Sequence, residues 1–472
     1  MKKHFLVLSI LSLSFVNSFG QYLIQWQNTI GGGDSDWLFS IQQTTDEGFI
    51  LCGWSISNIS GDKTENSQGV DDYWIVKLDA VGNIEWQNTI GGSGLERYPS
   101  IQQTSDEGYI LGGWSDSDMS GDKTENSQGG QDYWVVKLDS IGNIQWQNTI
   151  GGSSDDILYS IKQTLDEGYI LGGWSRSDSM GDKTENSQGD HDYWVIKLDA
   201  LGNIQWQNTI GGSTVDYLLS AYETPDNGYV LGGYSASNIS GDKTENSLGN
   251  MGTMDYWIVK LDSLGTIQWQ NTIGGNSQDV LFTLNLASDG GYVLAGYSSS
   301  NISGDKAENC YGVEDYWVVK IDPLGNIQWQ KTLGGDGWDW LYSIEQTADG
   351  GYILGGASAS NSSGNKTENS MGFMDYWVVK LIEEGTTQIE GANYSIQSIQ
   401  LFPNPVTEVF SIRSEQEFTS LRITNILGEE VFTETFLPKK EMEITVSQLA
   451  IGIYFLQAET AGIMQVQKFV KE

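Results

Sequence analysis

The sequence predicts an all-β protein: a six-bladed β-propeller of four-stranded antiparallel blades, closed by its N-terminal strand, followed by a small C-terminal Ig-like β-sandwich. Three observations carry this. Trp26, Trp86, Trp146, Trp206, Trp269 and Trp329 fall at intervals of 60, 60, 60, 63 and 60, each in a near-copy of NIQWQNTIGG, and so long a period marks a solenoid or a propeller. Turn chemistry recurs inside every copy. The last copy lacks one strand, and an orphan of that strand stands near the N-terminus.

Taken in order, residues 1–20 read as a secretory signal peptide. Lys2 and Lys3 precede a mostly apolar run from Phe5 to Val16, and the small residues Ser18 and Gly20 flank a cut before Gln21. No cysteine follows that cut, which argues against a lipid anchor there, and no later run approaches eighteen apolar residues, so no membrane span is expected.

The array runs from 21 to 381. Its second copy shows four stretches of strand character, at 98–104, 109–114, 132–139 and 143–150. SDEG joins the first pair and DSIGN the last, and glycine supplies the positive φ that such hairpins need. In DYWVVKLD, Tyr133, Val135 and Lys137 point one way while Trp134, Val136 and Leu138 point the other. Both faces therefore need cover, which stacking one sheet on the next provides. A single copy of 60 residues could not bury enough surface alone. The orphan segment 22–30, YLIQWQNTI, pairs in this reading with 375–381 and shuts the ring.

Charge narrows the range of functions. Lys plus Arg total 24 against 62 for Asp plus Glu, a formal charge of −38 that becomes −40 once Lys2 and Lys3 leave with the leader. Such a surface repels phosphate backbones and anionic lipid, so no nucleic-acid partner is expected. Cys52 and Cys310 occupy non-equivalent places in their copies, which is not a disulfide framework.

Two sets of residues are candidates for binding. The loop core SGDKTENSQG supplies hard oxygen donors: Asp62, Glu65 and Asn66, Asp122, Glu125 and Asn126, and Asp182, Glu185 and Asn186. Calcium is the one cofactor they suggest, and the competing role is a set of Asx-turns solvating a long loop. The second set is aromatic. Trp54, Trp114, Trp174, Tyr234 and Tyr297 share one place in the repeat, and Trp338 with Trp340 is a copy-specific departure. A level of rings can stack on sugars or pack at strand ends. Arg97, Arg176 and the insertion around Met251 are further departures from the repeat. Catalysis has less support, because beyond the leader the single histidine is His191, which excludes His-based triads and His-rich metal sites.

The Gly-Gly pair of YILGGWS, followed by an Asp-bearing turn and a fourth-strand Trp, resembles the kelch pattern, with about ten more residues per repeat. After a bridge at 382–396, residues 397–472 change character. LFPNPV (401–406), LRITNILGEEVF (421–432), LAIGIYFLQ (449–457) and QKFVKE (467–472) resemble the type A C-terminal sorting domain of the type IX secretion system. That resemblance implies export by the type IX machinery of Bacteroidota, with the product secreted or held on the outer-membrane surface. The expected function is non-catalytic binding or adhesion toward a glycan or surface protein. The rival is an extracellular carbohydrate-active enzyme, a glycosidase or lyase, on the same scaffold, and a purely structural surface-layer role is a third reading.

Overall fold

The computed structural model describes residues 28–250, 252–347, 350–372, 374–382, 400–402, 406–425, 430–450, 452–460 and 463–471. The leader, residues 22–27 of the orphan strand, Met251 and the bridge up to 399 lie outside them. The described chain is all β, in two compact units, one of repeats and one of C-terminal strands.

In the repeat unit, antiparallel sheets follow one another along the chain. The second blade is typical: Glu96–Gln103, Tyr109–Ser115, Asp132–Leu138 and Ile144–Ile150 pair in sequence order. Four further sheets repeat it, within residues 36–90, 156–210, 216–273 and 279–333, and a sixth within 339–381 has three strands. These sheets are called blades 1 to 6 in chain order. The first hairpin closes as its sequence requires. Glu107 takes a φ of 65°, Thr104 N donates to Gly108 O over 2.9 Å, and Asp106 Oδ1 accepts from the Thr104 hydroxyl over 2.5 Å. Lys137 then crosses from the third strand to Asp106 at 2.9 Å, with its stem buried. The same bond recurs as Lys77–Asp46, Lys197–Asp166, Lys260–Asp226 and Lys320–Asp289.

Stacking buries both faces of the inner blades. One core joins Ile110, Tyr133, Val135 and Ile150 of blade 2 to Leu158, Ile161, Leu171 and Trp194 of blade 3. Each such aliphatic or aromatic side chain withdrawn from water contributes roughly 2 kcal/mol. Glycine makes the approach possible, since a Cβ at Gly112 would stand 2.7 Å from Leu158 Cδ2. First strands touch from blade to blade along the whole array, so they form its concave side.

Each first strand also carries a β-bulge that the repeat pattern does not announce. Register shifts between Leu38 and Ser40, Gly172 and Gly173, Leu218 and Ser220, Leu281 and Thr283, and Leu341 and Ser343 leave Phe39, Tyr159, Leu219, Phe282 and Tyr342 without a cross-strand partner. In blade 2 Tyr98 and Pro99 together stand opposite the single Gly113.

The ring closure expected from the sequence is not displayed by the described residues. The outer face of blade 1 and that of blade 6 are both in solvent, with Leu38 57 % and Tyr376 96 % exposed. Residues 28–30 carry no strand pairing. The C-terminal unit also departs from the expected sandwich. It is one five-stranded antiparallel sheet in which the 17-residue strand Val409–Asn425 pairs with Glu430–Thr445 along its length, and with Gln400–Phe402 and Gly452–Thr460 at its two ends. Ile463–Lys471 pairs with Gly452–Thr460, and Val406 bridges to Lys471, so the sheet nearly closes on a core of Phe410, Phe418, Ile423, Leu456 and Phe469. One long bent strand serving two sets of neighbours replaces two separate sheets.

Candidate functional site

The concave side is the candidate. Bulges re-aim side chains, and here they turn large rings off the ladder. Phe39 meets Tyr98 edge-on at 5.4 Å, Tyr98 meets Tyr159 at 5.6 Å, and further along Phe282 meets Tyr342 at 4.9 Å. Phe39, Tyr98 and Tyr342 are exposed. Tyr98 holds a φ of 53°, an outlier for a bulky residue, directly before Pro99. Sequence reading missed these rings. Their signal was present as an aromatic two or three residues after the acid that opens five of the six described first strands, blade 4 having Leu218 and Leu219 there.

The repeated aromatics singled out from sequence lie beside this band in the second strands, while Trp338 and Trp340 lie at the start of the last first strand. Trp54 stacks on Trp37 at 5.6 Å, Tyr234 on Tyr217 at 5.0 Å, and Tyr297 packs against Phe282 and Trp340. Trp114 is 3 % exposed and serves packing, whereas Trp54, Trp174, Tyr234 and Tyr297 keep part of their surface in water. Trp340 donates its indole N–H to Glu314 over 2.5 Å, and Trp338 is exposed on the approach to the last first strand.

Copy-specific charges gather next to these rings. Arg97 lies over the Trp54 ring at 5.1 Å and pairs with Asp71. Arg176 pairs with Asp190 at 3.2 Å and Asp155 at 3.7 Å. His191 sits between Trp174 and Tyr217, at 4.4 and 5.0 Å, and burial holds its pKa below the usual value. Further along the concave side, Lys162 stands over Tyr222 at 5.7 Å, and the Tyr222 hydroxyl donates to Asn285 Oδ1 over 3.0 Å. Burial lowers the Lys162 pKa. A cavity of about 690 Å³ opens there, lined by Lys162, Tyr222, Thr164 and Gln102 among others.

The DKTEN loops have other work. Glu65, Glu125 and Glu185 each accept a main-chain N–H of the fourth strand, from Thr89, Thr149 and Thr209 over 2.6–2.7 Å. Asn66, Asn126 and Asn186 accept from Ile59, Met119 and Ser179 within their own loops. Asp122 and Asp182 each accept from a glutamine of the preceding blade, Gln68 and Gln128, while Asp62 accepts from Gly31 N over 3.1 Å. These side chains diverge. No group of three or more His, Cys, Asp or Glu stands ready for a metal among the described residues, nor is any helix there long and apolar enough to cross a membrane.

Comparison with known proteins adds an address. Residues 400–472 match the family described as the secretion system C-terminal sorting domain. The C-terminal unit is therefore a type IX sorting domain, which indicates export to the cell surface or beyond. Regulatory protein FlaEY of Caulobacter vibrioides is 24 % identical over 316 residues, covering 61 % of this chain and 32 % of that protein. The chain thus spans about a third of that relative. Among solved structures, a protein of unknown function from Dyadobacter fermentans aligns at a TM-score of 0.42 with 11 % identity, covering 75 % of this chain and 97 % of that one. The WD40 domain of Neurospora crassa Pan2 aligns at 0.37 with 11 % identity, covering 74 % and 90 %.

Proposed function

We propose that this is a non-catalytic binding or adhesion protein, delivered to the cell surface or medium by its sorting domain, whose concave aromatic band takes a glycan. The array is read as six blades behind a leader cut before Gln21, with residues 22–30 supplying the strand that the sixth blade lacks. The supporting observation is the exposed rings thrown out by the bulges, Phe39, Tyr98 and Tyr342, on the side where first strands converge. Exposed apolar patches of this kind mark binding surfaces, and flat rings edged by phenol hydroxyls suit the C–H faces and hydroxyls of sugars. The single histidine of the array is wedged between Trp174 and Tyr217, which supports binding over catalysis.

The test is a glycan array probed with the full chain and with Tyr98→Ala and Tyr342→Ala. Retained glycan binding in both variants, or none in the parent, sinks the reading. Cleavage of a bound glycan would replace it with the enzyme alternative.

A further inference from the structure

Four of the five seams between the described blades share one design, and at the first Tyr73 donates to Trp114 O over 3.1 Å instead. The tyrosine that follows the first residue of a third strand reaches into the next blade. Tyr133, Tyr193, Tyr256 and Tyr316 donate to the main-chain oxygens of Trp194, Trp257, Trp317 and Trp377 over 2.9–3.0 Å. Each ring enters because the receiving second strand has glycine there. A Cβ at Gly173, Gly233 or Gly356 would stand 2.5, 2.7 or 2.7 Å from the tyrosine hydroxyl. The incoming blade also covers the receiving first strand, so that Leu158 and Ile161 in blade 3, or Leu281 and Leu284 in blade 5, are fully buried.

The two ends of the array carry the unmatched halves of this joint. In blade 6 the corresponding tyrosine, Tyr376, is 96 % exposed, and Val378 beside it 63 %. In blade 1 the counterparts of Leu158 and Ile161 are Leu38 and Ile41, at 57 % and 59 %. Where the ring would enter there is a cavity of about 210 Å³, lined by Ile30, Trp37, Leu51, Gly53, Trp74 and Val76. The backbone edges are complementary too. Among the described residues blade 6 ends at a third strand open on one side, while Asn28 sits on blade 1 as the end of a preceding fourth strand would. Its side chain donates to Gly82 O over 2.5 Å, just as Asn88 and Asn148 donate to Gly142 and Gly202 over 2.7 and 2.8 Å.

We propose that these faces are the two halves of one docking surface, and that a second copy of this chain fills each. Blade 6 of one copy seats Tyr376 over Gly53 of the next, its hydroxyl on the Trp74 oxygen, with the neighbour's residues 28–30 at its open edge. Among the described residues of one chain both ends stay in solvent, so the strand that residues 22–30 supply to a sixth blade, and the tyrosine that blade offers in return, pair between copies. Such a head-to-tail contact is heterologous and propagates into rows. It holds whatever the aromatic band binds.

The experiment is sedimentation of the purified full chain across a range of concentrations, with Tyr376→Ser and Leu38→Asp, both at exposed positions. The parent should grow in integer multiples of the chain mass, and each variant alone should stay monomeric. An equimolar mixture of the two should give dimers and nothing larger, because one variant keeps an intact socket and the other an intact tyrosine. A parent that is monomeric throughout, as an intramolecularly closed ring would be, overturns the proposal. So does a mixture that fails to pair, or self-association that both variants retain.

Discussion

Replacing Asp156 by asparagine should stabilise the array at neutral pH and leave it unchanged in acid. Asp132 opens the third strand of blade 2 and Asp156 the first strand of blade 3, and both carboxyls are fully buried at one seam. Asp132 Oδ2 accepts from Gln128 N over 2.6 Å, while its Oδ1 has no hydrogen-bond partner. Asp156 Oδ2 accepts from Gly152 N and the Ser177 hydroxyl over 2.7 and 3.0 Å. The cations nearby, Lys123 and Lys183, are themselves buried, which holds the Lys183 ammonium down to about 8. Burial first, then the charge of Asp156, pushes Asp132 up to about 6, and burial does the same to Asp156. A rise from the usual 3.8 to about 6 corresponds to roughly 3 kcal/mol for each group. A carboxyl whose folded pKa is raised contributes fully below about pH 4, and its contribution is lost as pH climbs through 6. Asparagine keeps the acceptor toward Gly152 and Ser177 and discards the charge. Thermal melts by circular dichroism at pH 4.5, 6.0 and 7.5, at constant ionic strength, should show the variant melting a few degrees above the parent at the highest pH and level with it at the lowest. A variant that melts lower at pH 7.5, or a parent whose stability does not fall between pH 4.5 and 7.5, refutes the argument.

Other seams carry the same pairing, with Asp192, Asp279 and Asp315 pushed up to about 6 and Asp255 to about 7, so the loss of stability toward neutral pH should belong to the whole array. The hairpin aspartates behave oppositely. The Lys77 hydrogen bond holds Asp46 down to about 2, so its contribution survives until pH falls toward that value, and titration to pH 2 should reveal a second loss in the melts. Tyr193→Phe removes one seam hydrogen bond of 2.9 Å between fully buried groups and should cost about 1–2 kcal/mol in urea titration. Gly173→Ala places a Cβ against Ile157 O and the Tyr133 hydroxyl and should cost more than about 3 kcal/mol, or prevent folding, by the same measurement. Lys137→Met keeps the buried stem but loses bonds to Asp106 and Leu138 O, for a cost of about 1–2 kcal/mol.

The strands were legible because the repeat writes them many times over. The stretches read at 98–104, 109–114, 132–139 and 143–150 are found as Glu96–Gln103, Tyr109–Ser115, Asp132–Leu138 and Ile144–Ile150. Stacking through both faces of DYWVVKL was legible for the same reason: alternate residues were bulky on either side. The bulges were not, since one extra residue in a strand leaves the period of 60 intact. Neither was the pairing of acids across seams, because Asp132 and Asp156 stand 24 positions apart and each looks like an ordinary polar residue at a strand start. The loop acids show the limit of composition. Glu125 reads as a cation ligand in a list of oxygens, yet its carboxylate caps Thr149 N over 2.7 Å.

The glutamine bridges between neighbouring loops run out partway along the chain. Gln68, Gln128 and Gln188 each reach the aspartate of the following blade, at Asp122, Asp182 and Asp242, but the corresponding residues further on are Leu248 and Tyr311. Under tension the molecule should thus behave as two springs in series, a stiff latched half and a softer one beyond it. A load pulling on the C-terminal side would peel the unlatched blades first, leaving the leading half intact to keep its grip.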